Sequence, residues 1–269
     1  MTKFHVEYIE IKRDELKRLP PEQLSFFVFS GHILNEFVFL QKLAMACQNR
    51  GSRLLKSKRR DKRWQAQLDG NVTQTLIVQR ILLGKIYEAK VFLEHYAFKK
   101  AWFKQLTKSL RPEGKTALRK LKTAHARDKK QSDKNPFYVG RNKFGFHYHI
   151  PPVLNLLTKD EHLPKVFRFF LTDHMGSALH QGNEEAITSA YLSMIALKRK
   201  SAKAGIGRTY DLLLYRQRLI QNLLGECISA FIYPKKQSDE LKLKNRTITL
   251  SEKCDFNSFE IPWFLPKSK

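Results

Sequence analysis

Three residues near the middle of the chain carry side chains that could act together on a phosphodiester. Arg141 and Asn142 stand side by side, and His147 follows after five intervening residues from Arg141. A histidine changes its protonation near neutral pH and can accept or donate a proton. An arginine fork matches phosphate oxygens and keeps its charge. Asn142 could orient a substrate or hold the histidine tautomer, and Tyr148 and His149 are candidate supporting groups.

The spacing of this pair restricts how it could work. On a regular helix, residues six positions apart point about 120° away from each other. Arg141 would therefore have to lie before the regular turns, or two copies of the segment would have to face each other across a dimer. The competing interpretation gives both residues ordinary structural roles, with Arg141 in a surface ion pair and His147 as a hydrogen-bonded interior histidine.

The charge of the chain points to a polyanionic partner. Fifty lysines and arginines stand against 25 acidic residues in 269, which gives a net charge of +25. Such an excess favours nucleic acid first and an anionic membrane second, and a merely basic soluble protein is the alternative. The candidate RNA-binding positions are Arg59, Arg60, Arg63, Arg119, Lys120 and Lys143.

The cysteines and histidines predict neither a disulfide framework nor a metal centre. Cys47, Cys227 and Cys254 are far apart and form no CxxC pair, which disfavours a zinc site. His174 and His180 lack a third ligand. We expect no metal and no cofactor. The sequence shows no apolar leader and no long uncharged apolar run, so we expect a cytoplasmic protein without a membrane partner.

Apolar residues at helical spacing predict a mostly helical chain. The predicted helices are 22–48, 72–98, 116–127, 183–200 and 210–231. The first is apolar on so many sides that we expect it to be largely buried. Glu36, within that run, is either exposed or hydrogen-bonded, or it faces a catalytic cleft. The segment 201–207 should break the helical run, and residues 50–63 should form a basic connector. Residues 4–8 could form a short strand or an extended arm, and residues 246–250 could form a strand.

The predicted fold class is all-α, an antiparallel helical bundle with additional C-terminal helices and a short non-helical tail. Residues 1–152 would form the helical core with the Arg-Asn and His motif. Residues 153–233 would form a helical extension packed on that core, and residues 234–269 an extended tail.

The motif resembles the signature of the HEPN superfamily, an arginine followed by a polar residue and, a few residues on, a histidine. The match covers residues 141–147. The resemblance implies an all-α bundle, catalysis by Arg141 and His147 with support from Asn142, and a homodimer whose two motifs form one cleft. Many members of the superfamily are endoribonucleases that need no metal.

Two functions follow as hypotheses. The first is a metal-independent endoribonuclease of toxin or antiphage-defence type that cuts RNA by attack of the 2′-hydroxyl. Its partners would be RNA, a second copy of the chain and an antitoxin or defence-system protein. The alternative is a non-catalytic basic helical protein that binds nucleic acid or a protein partner.

Overall fold

The structure of the chain is a computed structural model. It describes residues 2–10, 16–58, 60–130, 169–170, 179–180, 202–232 and 244–252. Five α-helices make up most of this part of the chain. The all-α fold class predicted from the sequence is therefore confirmed. The predicted helix 183–200 and the predicted 201–207 break lie wholly or partly outside these residues.

Two long helices, α1 and α2, form a hairpin. Helix α1 is Pro21–Lys56 and α2 is Lys62–Leu93. The backbone N–H of Trp64 donates to Asp61 Oδ1 at 2.7 Å, which caps the start of α2. The Trp64 indole N–H donates to the Leu54 carbonyl at 2.8 Å and holds the two helix ends together. The predicted basic connector is thus mostly helical, and only a short loop separates α1 from α2.

A π-helical turn, Glu94–Phe98, follows α2 directly and leads into two shorter helices. Helix α3 is Ala101–Ser109 and α4 is Pro112–Lys130. Pro112 occupies the first position of α4, where a missing N–H costs nothing. The predicted helix 116–127 corresponds to the middle of α4, where apolar residues recur at helical spacing. The first turn of α4 was missed because that turn is polar.

The last described helix, α5, is Ala202–Ile232. It begins well before the predicted residue 210. The prediction that residues 201–207 break the chain is wrong for 202–207, which lie in the first turns of α5. Glycine in a helix costs only about 1 kcal/mol relative to alanine, which the rest of a long helix can offset.

Short strands accompany the helices. Strand β1, Thr2–Glu10, pairs antiparallel with β4, Lys244–Glu252, in the register Thr2 to Glu252. Both strands agree with the sequence prediction. Strands β2, Phe169–Phe170, and β3, Leu179–His180, form a second antiparallel pair.

The chain divides into two compact units. The first comprises residues 1–38, 88–126 and 215–255, and the second comprises residues 39–87, 127–214 and 256–269. Both units are discontinuous in sequence. The predicted boundaries at residues 152 and 233 concern segments that the structure does not describe, and they stay predictions.

Aromatic rings form the core of the first unit. Phe26 is only 1% exposed, and its ring lies 5.4 Å from Phe92, 5.2 Å from Trp102 and 5.6 Å from Phe103. Phe231 of α5 contacts the same ring at 6.4 Å. These contacts join α1, α2, α3 and α5, so substitution of Phe26 would affect four helices at once.

A hydrogen bond also joins α5 to α1 within the first unit. Gln217 is buried, and its Nε2 donates to the Phe37 carbonyl at 3.1 Å. In the second unit the described core is smaller, with Ala44, Cys47 and Val78 packed together beside Leu43. Because residues 44–47 meet residue 78 while Leu54 meets Trp64, α1 and α2 run antiparallel there.

The expectation that α1 is largely buried is wrong. Phe29 is 54% exposed and Phe39 is 61% exposed, and Val28 and Val38 are exposed as well. Other apolar residues of α1, including Phe26, Phe37 and Leu40, are buried. By length and composition α1 could also cross a membrane, a test that long core helices of soluble proteins pass too.

Candidate nucleic-acid interface

An open groove lined mainly by cationic side chains lies between α3 and α4 of the first unit. Its volume is about 630 Å³. The lining residues are Thr107, Lys108, Lys115, Leu118, Arg119, Lys122 and Thr123. Four of them are lysine or arginine and none is acidic, so the groove, here called the basic groove, attracts anions.

The spacing of cations along α4 aims them into this groove. Lys115, Arg119 and Lys122 follow one another at steps of four and three residues, which places them on one side of the helix. Ala117 and Leu121 are buried on the opposite side. A rise of 1.5 Å per residue spreads the three cations over roughly 10 Å. An extended polyanion can meet them in succession, whereas a single small anion could reach only part of the row.

Aromatic rings beneath two lysines steer their side chains. Lys122 Nζ lies 5.7 Å from the centroid of Phe98, in the π-helical turn. Lys120 Nζ lies 6.0 Å from the ring of Tyr215 in α5. Both lysines are exposed. Rings at these distances attract ammonium groups, so they reduce the freedom of the two side chains without neutralising their charge.

An ion pair holds the start of α4 against α5. Arg111 donates from its backbone N at 3.2 Å and from Nε at 2.9 Å to the Glu226 carboxylate, and its Nη2 contacts the same group. The side chain of Glu226 is 12% exposed. The hydrogen bonds from Arg111 hold the pKa of Glu226 below its usual range, and its carboxylate raises the pKa of Arg111 in turn. The groove wall is thereby fixed at its first turn.

A second pair fixes the far end of α4. Glu94, in the π-helical turn, contacts His125 Nδ1, and Lys90 Nζ lies 3.9 Å from the same carboxylate. The side chains of Glu94 and His125 are 20% and 16% exposed. Glu94 is not among the residues that line the basic groove.

Two of the predicted RNA-binding residues lie on α4, and one of them lines the basic groove. Arg119 lines the basic groove, and Lys120, next to it, is exposed and lies over Tyr215. Whether either residue contacts RNA stays a prediction.

The other described candidates lie elsewhere. Arg60 is exposed, its Nη2 donates to the Leu55 carbonyl at 3.2 Å, and its guanidinium lies 4.2 Å from the Trp64 ring. Arg63 is exposed on the first turn of α2. Glu36 is partly exposed on α1 and lies 3.6 Å from His32. Glu36 therefore has a partner on its own helix, and it does not line the basic groove.

The remaining predicted site residues lie outside the described residues. They are Arg59, Arg141, Asn142, Lys143, His147, Tyr148 and His149. The motif that carries the catalytic hypothesis is among them, and its geometry stays a prediction.

The structure adds residues to the interface that sequence analysis did not select. Lys108 comes from α3 and Lys115 from the first turns of α4, and Thr107 and Thr123 place hydroxyl groups beside them. Lys115 could have been found from its spacing to Arg119. Lys108 could not, because only the packing of α3 beside α4 brings it to the same groove.

Among the described residues, no group of three or more His, Cys, Asp or Glu side chains could hold a metal ion. No protein-family model, curated protein or solved structure matches the chain.

Proposed function

We propose that this protein binds RNA through the basic groove and cleaves it without a metal ion. The observation that carries the binding step is the groove lining, in which four cations and two hydroxyl groups stand without a carboxylate. The net charge of +25 means that the chain as a whole also attracts anionic partners. Phosphate groups are the anions that such a surface holds at successive positions.

The cleavage step comes from the Arg141, Asn142 and His147 motif. In the proposed reaction the 2′-hydroxyl oxygen attacks the adjacent phosphorus and the bond to the 5′-oxygen breaks, leaving a 2′,3′-cyclic phosphate. His147 takes the hydroxyl proton or supplies one to the leaving oxygen. Arg141 stabilises the charge on the phosphorane, and Asn142 orients the substrate. The proposal includes a homodimer, in which two motifs share one cleft, and a toxin or antiphage-defence role in the cytoplasm.

A binding protein without catalysis is the second candidate. Its specific support is that the lining of the basic groove accounts for RNA binding by itself and contains only lysine, arginine, threonine and leucine. None of these lining residues is a usual general acid or base near neutral pH. The two candidates differ only in what Arg141 and His147 do.

Cleavage is tested with purified protein, RNA and a chelator. Wild type should cut single-stranded or structured RNA and leave cyclic phosphate ends, and His147→Ala and Arg141→Ala should each lower the rate at least about 100-fold. Equal cutting by both variants, or no cutting by wild type, would leave only the binding candidate.

Binding is tested through its salt dependence. Lys115→Gln/Arg119→Gln removes two charges from the basic groove, and Lys17→Gln/Lys56→Gln removes two exposed charges outside it. Each lost phosphate contact should lower the slope of log affinity against log salt by about 0.7 for single strands, so the groove variant should lose about 1.4. The control variant should keep most of the wild-type slope. Equal losses in the two variants would show that the groove is not the contact surface.

A further inference from the structure

Three aromatic rings form a continuous row on the first unit, and its two outer rings are exposed. Phe29 of α1 lies 5.9 Å from Phe92 of α2, and Phe92 lies 5.8 Å from Tyr96 in the π-helical turn, centroid to centroid. Phe29 is 54% exposed and Tyr96 is 62% exposed. Single exposed aromatic residues are common on protein surfaces. Here the two outer rings both contact the ring of Phe92 and form one surface with it. They are called the aromatic row below.

The row is anchored in the core. Its middle member, Phe92, stacks on Phe26 with a centroid distance of 5.4 Å and an interplanar angle of 11°. Phe26 is buried and also contacts Trp102 edge-on. Phe92 is thereby held in one orientation, and the two outer rings lean on it. A ligand that stacks on the row meets a preformed surface and loses little side-chain entropy.

The π-helical turn explains why Tyr96 points outward. Within five residues the turn sends Glu94 to His125, buries Ala97 and leaves Tyr96 exposed. His95 is exposed beside it, with its ring 6.5 Å from that of Tyr96. Turns of this kind are uncommon and often occur at functional sites.

We infer that the aromatic row stacks on unpaired bases of RNA, so that the bound RNA is single-stranded where it meets the row. This inference rests on the proposed RNA binding and names the form of RNA that is bound. Every base has a face that stacks on an aromatic ring, so such a row binds single strands with little sequence preference. In a duplex the base faces are covered by neighbouring bases, and the row has nothing to stack on.

A protein partner fits the row less well. An aromatic side chain presents about 150–250 Å² in all, so the exposed parts of Phe29 and Tyr96 together amount to roughly 200–300 Å². A stable protein interface needs about 800 Å² from each partner, which the row would supply only together with other exposed apolar residues of α1 such as Val28. The net charge of +25 also favours a polyanion over a second copy of this basic chain.

The test compares three RNAs of equal length by fluorescence anisotropy: an unstructured single strand, the same strand with abasic sites, and a perfect duplex. Phe29→Ala/Tyr96→Ala removes both outer rings. Phe39→Ala serves as the matched control, because Phe39 is 61% exposed on the same helix but is not part of the row. Tyr96→Trp keeps an aromatic face at the critical position.

The double variant should bind the single strand at least about 10-fold more weakly, while its affinity for the abasic strand and the duplex stays at the wild-type value. Its salt slope should not change, because no charge is lost. Phe39→Ala and Tyr96→Trp should bind all three RNAs as wild type does.

Equal weakening for all three RNAs, or no weakening for the single strand, would overturn the inference. A change in molecular mass by light scattering in the double variant would overturn it too, because the row would then be an interface between copies. These results are distinct from failure of the proposed function. That failure would appear as wild type binding none of the RNAs, or as groove variants that bind them all normally.

Discussion

Gly114 of α4 lies close to Glu226 of α5, and Gly114→Ala tests that approach directly. An added Cβ would lie 2.8 Å from Glu226 Cγ, 2.9 Å from Glu226 Cβ and 3.4 Å from Leu110 Cβ. Carbon atoms in ordinary contact are about 3.5–4.0 Å apart. A rotamer change could move Glu226 Cγ but not its Cβ, which is attached to the backbone. The helices must therefore separate by several tenths of an ångström.

The magnitude follows from two opposing contributions. Crowding a packed contact by one methyl group costs about 1–3 kcal/mol. Replacing glycine by alanine in a helix returns up to about 1 kcal/mol, and less in the first turn, where Gly114 lies. We expect a net loss of about 1–2 kcal/mol in the free energy of unfolding. Gly225→Ala is the matched control, because an added Cβ at Gly225 in α5 meets nothing within 4 Å. It should stabilise the protein by about 0.5–1 kcal/mol.

The assay is urea unfolding followed by far-UV circular dichroism and by tryptophan fluorescence, to which Trp102 of the first unit contributes together with Trp64 and Trp263. The two variants should shift the midpoint in opposite directions. Gly114→Ala should also weaken RNA binding, because it displaces the helix that carries Lys115 and Arg119, while Gly225→Ala should not. Stabilisation of both variants by the same amount would refute the close approach of α4 to α5.

Two further predictions concern ionisable groups of the first unit. Arg111 lowers the pKa of Glu226, so the ion pair stabilises the folded state fully above the pKa that this carboxyl has in the unfolded chain. The stabilisation is lost as pH falls through the folded-state pKa. Glu226→Gln should therefore flatten the acid side of the curve of stability against pH, and an unchanged curve would contradict the prediction. Burial raises the pKa of Cys227 to about 12, so this thiol should resist iodoacetamide at pH 8 until the protein unfolds. Mass spectrometry would locate the label, and rapid labelling of the native protein would contradict the burial of Cys227.

The helices were predictable because their apolar residues recur at steps of three and four positions. Phe26, Phe37 and Leu40 recur at helical spacing and are buried. The ends were less predictable. Helix α1 continues to Lys56 through basic residues, because lysine and arginine favour helices and the side chains of Arg53 and Lys56 are exposed there. Helix α5 includes two glycines in its first turns that the sequence had assigned to a break.

The site was predictable only in part, because it depends on contacts between distant elements. Arg119 stood out within a basic helix, but Lys108 joins it only through the packing of α3 beside α4. The aromatic row was hidden for a similar reason. Phe29 lies in an apolar run, where a phenylalanine is usually a core residue, and its exposure follows from which side of α1 meets α2. Charge and periodicity do not contain that information.

The two surfaces would contribute to the free energy of RNA binding in different ways. The contribution of the basic groove would depend on salt concentration, and that of the aromatic row would not. If four groove cations each meet a phosphate, log affinity should fall with log salt at about 3.6 for a duplex and about 2.8 for a single strand. Raising salt from 50 to 200 mM would then weaken duplex binding about 150-fold and single-strand binding about 50-fold. Stacking on Phe29 and Tyr96 carries no such dependence. Because the duplex slope is the steeper of the two, the preference for single strands should increase about threefold between 50 and 200 mM salt. Loss of the two outer rings should lower that preference by a similar factor at every salt concentration, because stacking does not depend on salt.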